Sequence, residues 1–367
     1  MSNDIILSGY VGGKEKYISK ITSLFDANCT EYVEPFVGAG AIYFSHYNGK
    51  YQSEWINDAD SNIAFLYKAL ADRETRKNAR KKILSIANDD KREVAEKAFK
   101  VAKQKLLKNI KSDEIPIEQF SEIAKNTVHA YTQSFNCSAS GYSKKMSNEK
   151  YQNVIRRRVD NVIERLQTEP KVTNMDGIEV IKKVRDREQT QLFVDWPYVE
   201  LYRSGSVLYK KEMLSLYSHI VGAMELRESK AAVVICDYRS PNKNIPTIYD
   251  AILSGDEWHC FKLKDTYNHC KFVRKGEKKD RASEYVWTNR VPNEAKFYIS
   301  MHDYKEKLTL DEYWQRIKVC GEKGELPSGH LQKYQEAYSE MYNGKKLFSN
   351  EEIKKYKAMG GNKRCKE

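Results

Sequence analysis

The feature that most restricts the fold lies near the start of the chain. A short β-branched and aromatic run over residues 30–33 enters Pro35-Phe36-Val37-Gly38-Ala39-Gly40. Such a run reads as a strand, and glycines let the backbone turn sharply and approach a ligand closely. Residues 41–47 continue as a helix, and Glu54-Trp55-Ile56-Asn57-Asp58 reads as a second strand ending in an acid. Strand, Gly-rich turn, helix and strand in this order open a doubly wound, nucleotide-binding α/β sheet. Alone, a G-x-G fits an ordinary strand–helix turn equally well. Asp58 adds to it: it follows Gly40 by 18 residues, near the ~20-residue offset at which a carboxylate meets ribose hydroxyls in dinucleotide folds. Tyr43 stands where a third glycine would complete G-x-G-x-x-G, and no phosphate cradle is needed where the ligand is a nucleoside.

A second segment carries chemistry. The apolar run Phe193-Val194 ends in Asp195-Trp196-Pro197-Tyr198, an acid, a rigid proline and an aromatic at the carboxyl end of a strand, where α/β sheets place their ligands. One reading is a capping Asp with a hydrophobic turn. The other gives each group a task. The Asp195 carboxylate and the Trp196 backbone carbonyl each accept a hydrogen bond from an exocyclic amine, and Tyr198 stacks on the ring that bears it. Two acceptors draw the amine nitrogen toward tetrahedral geometry and free its lone pair to attack a sulfonium methyl in line.

The remaining sequence sets the partners. The chain has 367 residues and a net charge of +12, which favours a polyanion because neutralised phosphates release counterions. Residues 73–111 hold fourteen Lys/Arg against five Asp/Glu in a helical pattern, with Val94, Ala98, Val101, Ala102 and Leu106 as the expected apolar stripe. A solvated helix face and a DNA-facing one account for that charge equally well. Further strands are expected at residues 171–174, 192–194 and 231–236, a helix at 210–221, and two antiparallel strands, 272–273 and 283–289, around the charged loop 274–281. From about Tyr304 the chain reads as polar and helical with a basic end. Seven cysteines without C-x-x-C spacing, and histidines without H-x-x-x-H spacing, give no metal motif. No run approaches the ~20 apolar residues of a membrane span, and the N-terminus lacks the features of a signal peptide. A cytoplasmic location, no membrane and no metal are therefore expected.

In this order the motifs resemble those of the Dam-like, D12-class adenine-N6 DNA methyltransferases: Tyr10-x-Gly-Gly13-Lys14, then Phe36-x-Gly38-x-Gly40, then Asp58, a long insert, and Asp195-x-Pro197-Tyr198. The arrangement is similar to the family's α group, in which the target-recognition domain lies between the cofactor and catalytic motifs. The resemblance implies a Rossmann-like class I methyltransferase sheet, a bacterial or phage-encoded setting, S-adenosylmethionine as cosubstrate and double-stranded DNA as partner. It implies a split catalytic domain over residues 1–66 and 170–303, an inserted, mostly helical recognition domain over 67–169, and a helical basic extension over 304–367. Tyr10, Gly13 and Lys14 match the motif lining the cofactor pocket, and Phe36, Gly38 and Gly40 match the cofactor turn. Asp58 matches the acid on the cofactor ribose, and Asp176 the acid that contacts its adenine. Asp195, which also borders the cofactor, forms the catalytic tetrad with Trp196, Pro197 and Tyr198.

The segment Phe135-Asn136 to Ser140-Gly141-Tyr142-Ser143 is similar to the family's recognition segment, often a β-hairpin, which implies DNA contacts at Asn136, Ser140 and Tyr142. Lys144, Lys145, Arg156, Lys271 and Arg274 are the candidate backbone contacts. Arg156, Arg157 and Arg158 cannot all point one way on a helix. An adenine amine lies inside the duplex stack, so chemistry on it requires the base to be flipped out.

Two departures from the family pattern stand out. The tetrad is normally Asp-Pro-Pro-Tyr, and Trp196 replaces the first proline, keeping the carbonyl but losing the fixed φ. The indole either packs in the wall of the site or obstructs it. The recognition segment is also shorter than in GATC-specific members and lacks their Arg-rich run, so GATC specificity is not assumed. Two alternatives stay open: a disabled methyltransferase fold that binds DNA, and methylation of adenine in RNA or of cytosine.

Overall fold

A computed structural model describes residues 7, 14–45, 50–86, 89–107, 115–134, 139, 141–143, 147–198, 215–240, 242–267, 281–292, 306–326 and 330–360. Seven strands form one sheet: β1 (Glu31–Glu34), β2 (Ser53–Asn57), β3 (Lys171–Thr173), β4 (Thr190–Val194), β5 (Ala232–Arg239), β6 (His259–Tyr267) and β7 (Arg281–Thr288), in the order β3-β2-β1-β4-β5-β7-β6. β1 pairs in parallel with β2 and β4, and β2 in parallel with β3, whereas β7 runs antiparallel to both β5 and β6. The order reverses between β1 and β4, the position at which open α/β sheets bind ligands outside the strand ends. β4 is buried at every residue, as a strand covered on both faces must be. The expected strand at 272–273 lies outside the described residues. β6, the outer partner of β7, was not anticipated: only Phe261-Lys262-Leu263-Lys264 alternates, between an apolar pair at Cys260-Phe261 and a polar Asp265-Thr266.

Contacts divide the chain into two units. The first comprises Met1–Thr22, Asn28–Val180 and Gln189–Phe193, and the second Ser23–Ala27, Ile181–Glu188 and Val194–Glu367.

The first unit holds β1 to β3, α1 (Ile18–Thr22), α2 (Ala41–Ser45) and the helices α3 (Ser61–Ala71), α4 (Arg73–Leu84), α5 (Arg92–Gln104), α6 (Ile117–Thr132) and α7 (Asn148–Leu166). Side-chain oxygens of Asp60, Asp72 and Ser147 accept backbone N–H groups at the starts of α3, α4 and α7, which satisfies donors that a helix start leaves bare. Arg80 on α4 grips Asp160 on α7 through two hydrogen bonds of 2.6 and 3.0 Å. α7 is also fixed to the sheet. Arg165, buried, donates to Glu54 on β2 at 2.8 and 2.5 Å while its guanidinium lies 4.0 Å from the Tyr43 ring centre. Glu54 also accepts from the Tyr43 and Thr168 hydroxyls.

The expected apolar stripe on α5 is offset. Ala95, Phe99 and Ala102 are buried, while Val94 and Val101 are 49% and 45% exposed. Both sets repeat at helical spacing, and Phe99, the largest of them, settles the register by packing with Ala130 and Ala139.

In the second unit α8 (Gly177–Val184) enters from the first. It is followed by α9 (Leu216–Arg227), α10 (Tyr249–Ile252) and three helices of the C-terminal extension, α11 (Leu310–Glu322), α12 (His330–Met341) and α13 (Asn350–Gly360). The extension has its own apolar layer, in which Tyr313, Trp314, Ile317, Leu331, Tyr334, Phe348 and Ile353 are buried. A Thr309–Glu312 capping box starts α11. Asp250 binds Arg239 at 2.7 and 2.8 Å and accepts the Glu306 N–H, and its backbone carbonyl accepts the Leu308 N–H, tying the extension to α10.

Candidate active site

In the first unit the turn after β1 is built from backbone geometry. Gly38 and Gly40 have φ of +48° and +69°, which L-residues with a Cβ avoid. A Cβ on Gly40 would also fall 2.4 Å from the Phe44 ring. Val37 N–H donates to the Asn57 carbonyl at 2.9 Å, and the Gly38 carbonyl accepts from the buried Tyr67 hydroxyl at 2.9 Å. Gly38 N–H donates to Asp58 Oδ2 and Asp60 N–H to Asp58 Oδ1, both at 2.8 Å. Burial, reinforced by the nearby Asp60, raises the Asp58 carboxyl to about 7. Asp60 in turn caps α3 and accepts from the Tyr131 hydroxyl at 2.9 Å.

Asn57 joins three segments. Its amide donates to the carbonyls of Pro35 (2.8 Å) and Met175 (3.0 Å), and its oxygen accepts from Met175 N–H (2.9 Å) and the Thr173 hydroxyl (2.7 Å). In the sequence Asn57 stands out only as a strand residue; a polar side chain at a buried strand end is the signal that marks it. Asp176, exposed, starts α8 by accepting the Ile178 N–H at 2.8 Å. The half-buried Phe36 ring lies against Gly177, where a Cβ would come within 2.3 Å of it. The Phe36 ring thus lies against the residue that follows the exposed Asp176. Lys14 is buried; Tyr10 and Gly13 lie outside the described residues.

In the second unit the residues after β4 are held by side chains. Asp195 and Pro197 are half-buried, and Trp196 and Tyr198 are buried. The Tyr198 hydroxyl lies 2.8 Å from Asp195 Oδ1 and 3.2 Å from Oε1 of the buried Glu284 on β7. Burial, then the two carboxylates, push its pKa far above the ordinary phenol range, so it stays protonated. The Tyr198 ring meets Tyr238 edge-on at 4.6 Å. The Trp196 indole neither stands free nor blocks the turn. It is 1% exposed, lies 4.1 Å from the His219 ring centre, and donates from Nε1 to the Tyr249 hydroxyl at 2.7 Å. Glu284, Tyr238, Tyr249 and His219 were not singled out from sequence, since each meets the turn only through the fold.

Of the candidate DNA contacts, Tyr142 is half-buried and packs on Phe99 at 5.8 Å, and Ser134 and Tyr142 form one antiparallel bridge. Arg156 and Arg157 are exposed on α7 and Arg158 is half-buried. Asn136, Ser140, Lys144, Lys145, Lys271 and Arg274 lie outside the described residues. Among the described residues, no group of three His, Cys, Asp or Glu could hold a metal, and no helix is long and apolar enough to cross a membrane.

The strand order, the glycine turn after β1 and the acid-led aromatic turn after β4 define a Rossmann-like methyltransferase. A family model for the D12 class N6 adenine-specific DNA methyltransferase matches residues 10–234, more than half of the chain, and the chain belongs to that family. No curated protein matches it. The protein is thus an adenine-specific DNA methyltransferase that uses S-adenosylmethionine. This membership favours adenine in DNA over RNA or cytosine, and an enzyme over a DNA-binding module.

Proposed function

We propose that the residues after β4 hold the target amine and those around the β1 turn hold the methyl donor, and that the substrate is double-stranded DNA whose adenine is flipped out. The observation that carries this reading is the half-buried Asp195 at the end of a fully buried strand, with Tyr198 hydrogen-bonded to it. Asp195 and the Trp196 carbonyl accept hydrogen bonds from the two N6 N–H groups, and Tyr198 and Pro197 border the base. S-adenosylmethionine supplies an electrophilic methyl: its C–S bond breaks as the N6–C bond forms, the electron pair stays on sulfur, and the nitrogen then sheds a proton.

Phe36 and Asp176 border the donor's adenine, Asp58 and the Gly38–Gly40 backbone its ribose side, and Lys14, with Tyr10 and Gly13, the rest of its pocket. Residues 67–169 serve target recognition through Asn136, Ser140 and Tyr142. Lys144, Lys145, Arg156, Lys271 and Arg274 hold phosphates and offset the few kcal/mol that flipping costs. Residues 304–367 extend the catalytic domain over 1–66 and 170–303. A cytoplasmic bacterial or phage-encoded role in restriction–modification suits such an enzyme.

The test is methyl transfer from tritiated S-adenosylmethionine to unmethylated plasmid DNA, with nucleoside mass spectrometry of the product. Asp195→Ala is expected to abolish transfer with the melting temperature kept. Undiminished N6-methyladenine from that variant would sink the assignment.

A further inference from the structure

We propose that the buried Trp196–Tyr249–His219–Asp237 network is a positioning device for the catalytic turn, holding the Trp196 carbonyl where a proline would otherwise fix the backbone. The inference rests on the reading that residues 195–198 bind the amine.

The network can be assigned proton by proton. Tyr249 donates its one hydroxyl proton to Asp237 Oδ2 at 2.7 Å. Its oxygen therefore accepts from its other two neighbours, the Trp196 indole N–H and His219 Nε2, each at 2.7 Å. His219 must then carry its proton on Nε2, which leaves Nδ1 as a bare acceptor. That nitrogen is buried without a hydrogen-bond partner, so no acceptor is present to hold a proton there. Burial lowers the His219 pKa to about 3, so the ring stays neutral and no second proton disturbs the pattern.

The network is also rigidly mounted. His219 comes from α9, Asp237 from β5 and Tyr249 from α10, all buried, and Trp287 of β7 packs on Tyr249 at 4.5 Å. Its far end returns to the turn. Asp237 Oδ1 accepts the Tyr238 N–H at 2.6 Å, and the Tyr238 ring braces Tyr198. The turn is thus gripped at its second residue through the indole and at its fourth through Tyr238. Fixed φ, which proline supplies within the backbone, is replaced by a side chain pinned from three elements.

The test measures single-turnover methylation of unmethylated plasmid DNA by Tyr249→Phe, which keeps the ring and removes the shared hydroxyl. A small misplacement of a reacting group costs up to about 100-fold in rate, so a fall of about tenfold or more is expected, with KM for S-adenosylmethionine and DNA within about twofold; the melting temperature falls too, because the Trp196 N–H, His219 Nε2 and Asp237 lose their shared partner, and the rate is read well below it. Trp196→Phe, which loses only the N–H donor and part of the ring, is expected to behave alike and serves if Tyr249→Phe does not fold. In the Trp196→Phe background, Tyr249→Phe should cost little more. A wild-type rate in both variants, or rate and KM changes that merely follow lost stability, overturns the proposal while Asp195→Ala remains inactive. An active Asp195→Ala instead removes the reading on which it rests.

Discussion

The turn after β1 and the turn after β4 both leave the carboxyl end of a strand, yet they are shaped by different forces. The first is a matter of bare backbone: two glycines at positive φ, tied by main-chain amides to Asp58 and to the carbonyl of Asn57. The second contains no glycine. Its conformation is set by an indole in an aromatic layer and a phenol between two carboxylates. On the proposed roles, a turn that lies against a ligand through its own backbone must stay free of side chains, whereas a turn that presents a carboxylate and a carbonyl to an amine needs them aimed.

Three changes to the first turn put that contrast at risk. Asn57→Leu should have the largest effect. It removes the partner of the buried Pro35 carbonyl and of half-buried groups of Met175 and Thr173, and at roughly 1–3 kcal/mol for each group left unsatisfied the loss should be about 3 kcal/mol. Urea unfolding measures it, and a loss below about 1 kcal/mol would show that these backbone ties do not shape the turn. Gly40→Ala comes next. Left-handed backbone costs an L-residue about 1–2 kcal/mol, and displacing the Phe44 ring adds to it. Weaker S-adenosylmethionine binding by calorimetry should accompany the loss, and unchanged affinity would argue that the donor does not touch this turn.

The smallest effect concerns pH. Asp58 titrates near 7 in the folded chain and near the ordinary 3.8 when unfolded. Between these values the folded state holds the extra proton, so the Asp58 contribution to stability falls as pH rises from about 4 to about 7 and is level above. The melting temperature of Asp58→Asn, taken relative to that of the native chain, should therefore rise over that window. Parallel curves for the two proteins would refute the raised carboxyl.

How far the sequence discloses these arrangements depends on the distance over which each is set. The β1–turn–α2–β2 unit was legible because strand, glycine pair and acid follow one another within 28 residues. Asp195 and Tyr198 were legible for the same reason. Asn57 was not, since Thr173 and Met175 lie 116 and 118 residues away. The environment of Trp196 was equally hidden: its partner Tyr249 is 53 residues on, and nothing near Trp196 in sequence indicates whether the indole is anchored or loose. On α5 the failure was one of degeneracy. Two apolar sets fit the helical period, and only the neighbour that Phe99 meets decides between them.

The buried Arg165–Glu54 pair, with Tyr43 and Thr168 around it, bears on how this enzyme could be re-engineered. An exchange of residues 67–169 for the corresponding piece of another methyltransferase would carry Arg165 away and leave Glu54 as a lone anion in a sealed interior, a loss of roughly 3–5 kcal/mol. A workable chimera must keep the end of α7 native or import both members of the pair. For the proposed recognition domain, the boundary of an exchange is therefore set by an electrostatic lock, upstream of Arg165, and not by where the helical insert ends.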